Sequence, residues 1–362
     1  SYQSVLDQAN YSFGGTVVQG VAPVDGANRN LIWETTETLN FGLDMGFLGN
    51  QYTLSIEGYR KLTYDILMKL PVSTLYGLNA PYQNAGKVKN TGLEITAGYK
   101  LNTHGWNFQV SANAAYNKNE VMDLKNGGAR IWSGKYFNQE GYAINSIGGY
   151  IAEGLFKTEE EVANSATIPG TDTAPGDIKY RDINNDGKID GEDRVYIGNT
   201  MPKWTFGLNL FAEWKGLDAT FLFQGAADVQ GYLAGPGVVG EMIGAKGKPS
   251  YMYRDCWDAE TNPNGKFPRA FSSYRQNNSI YNPSSFWIVN SSYLRLKNFQ
   301  LGYTLPKEWC NMMGISRIRV YYSGQNLLTF TKFDKGFDPE SPEGGSSYPQ
   351  VKTNTFGLNI TF

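Results

Sequence analysis

The runs "TLNFGLDMGF", "NTGLEITAGYKL", "WNFQVSANAAYN", "WTFGLNLFAEW" and "TNTFGLNITF" share one property: apolar residues alternate with small or polar ones, position by position. That period of two belongs to a strand with two unlike faces. In the first run Leu39, Phe41, Leu43, Met45 and Phe47 fall on one face, and Asn40, Gly42, Asp44 and Gly46 on the other. In the fourth, Trp204, Phe206, Leu208, Leu210, Ala212 and Trp214 share a face. Soluble sandwich strands usually have about five or six residues. These runs are about twice that, and their apolar faces often begin or end in Trp, Tyr or Phe. Strands of about 9 to 11 residues with aromatic ends match the wall of a transmembrane antiparallel β-barrel. A large soluble sandwich or solenoid is the competing reading.

Four further runs, "QYTLSIEGYRKLTYDIL", "LDATFLFQG", "SYLRLKNFQLGYTL" and "SRIRVYYSGQNLL", bring the expected wall to nine strands. The third of these slips phase near Asn298, where a bulge is expected. The link "PKEWCNMMG" is expected to hold one helical turn, begun by Pro306 and ended by Gly314. Connections alternate between short (49 to 50, 103 to 105, 215 to 216, 305 to 314) and long (roughly 67 to 89, 119 to 203, 229 to 289, 329 to 350). Bacterial outer-membrane barrels pair short periplasmic turns with long extracellular loops. The alternation therefore puts Phe362 on the periplasmic side and requires that "SIGGYIAEGLF", Ser146 to Phe156, not span. Nine is an odd number, a bacterial single-chain barrel has an even one, and an open edge cannot face lipid. Further strands are expected before residue 1. The chain opens without methionine or leader, and no stretch approaches the ~18 apolar residues of a membrane helix, which says nothing against a barrel.

A net charge of -2 with 18% charged residues gives nucleic acid no handle, and 42 glycines suit an all-β chain rich in turns. One histidine and two cysteines leave little for a zinc site, a catalytic triad or a disulfide framework, and no nucleophile, base and orienter group together. An enzyme is the least supported class. His104, in "NTHGW", reads as a turn residue. Cys256 and Cys310 are expected on opposite sides of a hydrocarbon core about 30 Å thick, too far apart for a disulfide.

The segment "DINNDGKIDGED", Asp182 to Asp193, has the spacing of a calcium loop. The expected ligands are the side chains of Asp182, Asn184 and Asp186, the carbonyl of Lys188, Asp190 directly or through water, and Asp193. Gly187 permits the turn at position 6 and Ile189 anchors position 8. Position 12 holds the shorter Asp193 in place of the usual glutamate, as in dockerin-like loops. The flanks "IKY" and "RVYIGN" are β-like, so there are no helices to pivot and a structural calcium brace is expected, not a sensor. A solvated acidic turn is the plainer alternative.

Together, "NTGLEITAGYKL", "GYAINSIGGYIAEGLF", "GDIKYRDINNDGKIDGEDRVYIGNTMPKWTFGLNL", "SYLRLKNFQLGYTLP", "VYYSGQNLLTFTKFDKGFDPE" and "YPQVKTNTFGLNITF" resemble, in order, the C-terminal half of a SusC-like TonB-dependent transporter of Bacteroidota. The resemblance covers about residues 90 to 362. It implies the C-terminal portion of a 22-stranded barrel plugged by an N-terminal domain absent here. It also implies residence in the bacterial outer membrane, a SusD-like surface lipoprotein as partner, TonB engaged through the N-terminal part, a possible dimer of such pairs, and import of glycans or peptides. The terminal "NITF" resembles the aromatic-ended assembly signal of outer-membrane barrels, with Phe362 as its last residue.

The loop from 229 to 289 is the expected ligand or partner surface. It is rich in aromatics beside polar groups, with Tyr251, Tyr253, Trp257, Phe271, Tyr274 and Trp287 as candidates for contact. A packed loop core would explain the same residues. A passive porin and a secreted calcium-stabilised carbohydrate-binding β-protein remain the alternative functions.

Overall fold

Backbone amides along a strand need partners on both sides, and here antiparallel neighbours supply them almost throughout. In the computed structural model, residues 5–233, 254–270, 282–333, 337–341, 348 and 350–362 are described. The chain begins with the hairpin β1 (Val5–Phe13) and β2 (Thr16–Asp25), turned by Gly14 and Gly15 at φ 54° and 80°. Four long strands follow: β3 (Thr35–Phe47), β4 (Tyr52–Lys69), β5 (Tyr82–Thr103) and β6 (Trp106–Asp123). Short strands come next: β7 (Ile131–Ser133), β8 (Tyr136–Asn138), β9 (Ser146–Gly149), β10 (Ala152–Leu155), β11 (Ile178–Tyr180) and β12 (Val195–Gly198), with the helix α1 (Glu159–Ala163) among them. The hairpin β13 (Trp204–Trp214) and β14 (Leu217–Ala227) leads to the short β15 (Gln230–Tyr232) and β16 (Ile288–Asn290). The chain closes with β17 (Tyr293–Thr304), α2 (Lys307–Met312), β18 (Arg317–Thr331) and β19 (Thr353–Thr361).

One sheet holds nine strands in the order β19-β18-β17-β14-β13-β6-β5-β4-β3, and these are the nine runs read from the sequence. The hairpin β1–β2 is additional and forms a two-stranded sheet of its own, with, among the described residues, a single bridge from the end of β2 to Asn79, whose N–H donates to Val24 O at 2.8 Å. Two tight turns, His104-Gly105 and Lys215-Gly216, place both central residues at positive φ (47° and 84°, 48° and 85°), the type I′ geometry that matches strand twist. His104 is thus a turn residue, its Nδ1 2.7 Å from Thr103 Oγ1. The turn helix α2 is capped by Pro306, with Gly314 at φ 70° beyond its end. Ser146 to Phe156 lies outside the nine-stranded sheet, with β9 pairing β12 and β10 pairing β11. One expectation needs correction. The connection read as 67 to 89 is only 70–81, because β4 and β5 run on past the expected wall. There Val88, Val121 and Leu124 form a buried cluster with Ile66, Met68, Ile131 and Ile144 packed on it, so the strand tips bury apolar surface of their own.

The chain resolves into two compact units, residues 1–41, 57–93 and 117–145 in one and 42–56, 94–116 and 146–362 in the other. In the first, the strand tips and the β7–β8 hairpin share the fully buried Phe137, with Trp132 and Tyr142 ring centroids 5.3 and 5.5 Å away. In the second, the sheet from β13 to β19 pairs in continuous register except at one place. Leu296 pairs Phe223 and Leu328 while Asn298 pairs Leu222 and Gln325, which leaves Lys297 as the extra residue of a bulge. The bulge reverses the strand's phase. Without it Arg295 would share the apolar face with Leu301 and Phe299; with it, Arg295 joins the polar one. Because Lys297 is the extra residue, deleting it brings Leu296 next to Asn298 in plain alternation and is expected to leave Arg295 inward, whereas Arg295→Met strands the Asp338 and Glu340 carboxylates and loosens residues 338–341, a loss of about 3 to 5 kcal/mol. Limited proteolysis within 332–352 and a lower heat-modifiability midpoint on gels are the expected readouts, with Lys297→Ala far milder.

Candidate functional site

The apolar face is bracketed by aromatic pairs. At the tight-turn end of β6 and β13, Trp106 and Trp214 are cross-strand partners with stacked rings, centroids 5.3 Å apart and 15° between planes. At the other end Tyr116 faces Trp204, centroids 4.9 Å apart. The 11-residue β13 carries its two tryptophans at its ends. Ten steps at about 3.4 Å give about 34 Å of strand, and a tilt of about 40° leaves about 26 Å along the normal. That is close to the apolar band of an outer-membrane barrel, about 25 Å tall. The lower row continues across the sheet through Trp214, Leu217, Tyr303, Val320 and Leu358.

The opposite face is polar, and two of its arginines are held in ion pairs. Arg319 on β18 grips Asp218 on β14 with two hydrogen bonds, Nε to Oδ2 at 2.8 Å and Nη2 to Oδ1 at 2.5 Å. The guanidinium crosses β17 at Gly302, where an added Cβ would lie 2.3 Å from Nη2. Further up, Arg295 is 2% exposed and held by Asp338 Oδ1 at 2.8 Å, Glu340 Oε1 at 3.0 Å and Thr329 Oγ1 at 3.0 Å. Lys297 Nζ adds a 3.3 Å contact to Glu340. Sequence reading passed over this strap of "FDPE" to the sheet. Its signal was the arginine on the inner phase after the Asn298 slip.

The acidic loop is folded by its own carboxylates. Asp182 accepts from the backbone N–H of Asp186 and Gly187 at 3.3 and 2.8 Å, and Gly187 adopts φ 84°. Asp193 is fully buried and accepts from Ile183 N and Asp190 N, both at 2.8 Å. Ile189 is buried too, its N–H donating to Thr167 O, so the brace is tied to a neighbouring segment. Backbone shape and donor types suit calcium. The side chains suit it in part, since Asp190 and Asp186 close on the Lys188 ammonium at 2.6 and 3.4 Å. That contact, with a bond from Glu192 N, holds the Asp190 carboxyl below its usual range and raises the Lys188 ammonium. Asn184 bonds Asp186 and Glu192. Among the described residues no three His, Cys, Asp or Glu side chains converge as a metal group, so a cation at this loop requires Lys188 to swing out.

Of the aromatic candidates, Tyr251, Tyr253, Phe271 and Tyr274 lie outside the described residues. Trp287 is 2% exposed, packed edge-on against Phe286 at 4.9 Å, and presents no face to a ligand as placed. That corrects its reading as a contact residue, because pairing of β15 with β16 seals it into a loop core with Tyr232 and Leu233. Segment 150–152 threads the same core, with Tyr150 N bonded to Pro283 O and Ser285 N to Tyr150 O. Trp257 is 8% exposed and lies against Gly176, yet it borders a cavity of about 720 Å³ with Arg254, Asp258 and Arg269. Cys256 and Cys310 are buried thiols outside any disulfide; burial, then Asp255, pushes the Cys256 thiol up to about 11.

The family model described as TonB dependent receptor-like, beta-barrel matches residues 1–327. The chain belongs to this family. Its barrels reside in the outer membrane. Among relatives, TonB-dependent receptor P3 of Formosa agariphila is 31% identical, the match covering 96% of this chain and 36% of that protein. TonB-dependent receptor SusC of Bacteroides thetaiotaomicron is 28% identical over 98% of this chain and 34% of its own length. The solved RagAB peptide transporter superposes with a TM-score of 0.77 at 26% identity, over all of this chain and 39% of that one. The chain thus spans little more than a third of the length of these relatives.

For a TonB-dependent receptor barrel, the bracketed apolar face meets lipid and the Arg319–Asp218 face lines the lumen. The loops at the long-loop end hold their own core, independent of the lipid face. Replacing Asp193 with Ala strands two amides, each costing about 1 to 3 kcal/mol when buried. The expected result is protease cutting within 182–193 with the sheet signal in circular dichroism unchanged.

Proposed function

We propose that this chain is the C-terminal part of a plugged, 22-stranded TonB-dependent importer that carries a glycan or peptide across the outer membrane. The observation that carries the reading is the aromatic-bracketed wall about 26 Å tall, joined to a likeness to part of the RagAB peptide transporter that covers all of this chain. In this reading the long connections face outward under a SusD-like lipoprotein, TonB acts through the preceding part of the protein, and Phe362 faces the periplasm. Phe362 follows β19 and is 88% exposed, which suits an assembly signal. The decisive test uses the full-length protein in its own cells. Uptake of its nutrient is expected to stop on TonB depletion, a tagged copy to retain a surface lipoprotein through purification, and a form ending at Thr361 to accumulate less in the outer membrane. Uptake persisting without TonB would make the protein a passive pore.

Calcium at Asp182, Asn184, Asp186, Lys188 (carbonyl), Asp190 and Asp193 is proposed as a brace of the loop, outside the transport path. A site filled tenfold above its dissociation constant adds about 1.4 kcal/mol. Chelator is therefore expected to speed hydrogen exchange within 157–203 only; loss of the whole β signal at the same temperature contradicts a local brace.

A further inference from the structure

On the inner face lies a cavity of about 570 Å³ that none of the roles above uses. Its floor is a single cross-strand row: Asn113 pairs Gly207, Gly207 pairs Gln224, and Gln224 pairs Arg295. A Cβ on Gly207 would sit 2.6 Å from Asn113 Oδ1, so glycine makes room for the Asn113 carboxamide to lie over β13. Among the described residues neither carboxamide has a protein partner, and the Thr200 and Thr205 hydroxyls beside them have none either. One flank is the apolar cluster of Ala226, Val229 and Tyr293. Opposite stand Pro339 and Glu340, fixed by the Arg295 and Lys297 strap, which also neutralises the Glu340 carboxylate.

The free groups are uncharged donors and acceptors. Asn113 and Gln224 stand one strand apart on either side of β13, about 9.6 Å at a strand spacing of about 4.8 Å, which three residues of extended peptide cover at about 3.4 Å each. Phe206 and Phe223 border the cavity from the alternate strand positions, whose side chains project to the outer face, and Tyr293 is 8% exposed, which leaves little ring surface for stacking on a sugar. We propose that the cavity is a subsite for an extended stretch of peptide. Its backbone amides bond Asn113 and Gln224 across Gly207, and one apolar side chain rests on the Ala226–Val229–Tyr293 flank. The inference rests on the import reading and narrows its substrate class.

The test uses the full-length transporter purified in detergent with whatever lipoprotein accompanies it. Synthetic heptapeptides of mixed sequence and, separately, a malto-oligosaccharide mixture are the probes, with bound material identified by mass spectrometry and titrated by calorimetry. Heat-modifiability confirms that each variant is folded. Asn113→Asp/Gln224→Glu, which keeps side-chain volume, and Gly207→Leu, which displaces the Asn113 carboxamide, are expected to weaken peptide binding about tenfold or more. Gln109→Leu, on the same face nearer the tight turns, is expected to leave it unchanged. Wild-type affinity in both floor variants overturns the subsite and leaves import standing. Retention of oligosaccharide with no peptide overturns the substrate class. TonB-independent uptake by the wild type overturns the import reading itself.

Discussion

In hydrocarbon an amide that finds no partner costs several kcal/mol, and every feature of this wall follows from that penalty. The strands must pair on both sides, so they are long and antiparallel, and they alternate because one face meets lipid and the other a polar lumen. The same condition permits irregular backbone only beyond the band. Turns at one end are short, two of them cut to two residues with positive φ, while at the other end the chain builds small sheets and a core of its own.

Charge on the inner face follows a second rule, that a buried ion needs a counter-ion and hydrogen bonds to its remaining valences. Arg319 meets Asp218 across a glycine, and Arg295 meets Asp338 and Glu340. These pairs act at different levels. The first ties three neighbouring strands of the wall together; the second ties a loop to the wall. Gly302 and Gly207 show that small residues on this face are as informative as charged ones, since each makes room for a named side chain.

The nine wall strands were legible because their chemistry is local: alternation, aromatic ends and turn residues all sit within about ten positions. The first hairpin was not. Its strands carry adjacent Val5 and Leu6, adjacent Val17 and Val18, and Pro23, which blur the period of two. The extent of β4 and β5 was missed because their tips are stabilised by contact with Val121 and Leu124, far along the chain. The calcium-type loop was readable as a backbone, since its hydrogen bonds run within twelve positions, but the engagement of Lys188 with Asp186 and Asp190 is a rotamer choice that spacing does not encode. Trp287 illustrates the largest gap. An aromatic beside polar groups has the same sequence signature whether it stacks on a ligand or fills a core, and only the pairing of β15 with β16 decides.

The bulge at Lys297 makes β17 two strands written end to end. Below it, odd-numbered positions such as Phe299, Leu301 and Tyr303 belong to oil; above it, even-numbered Leu294 and Leu296 do. A single extra residue thus works as a punctuation mark in the reading of hydrophobicity. The wall beneath and the mouth above can each drift in sequence under its own parity, and a family built this way can remodel what it grasps without rewriting how it sits in the membrane.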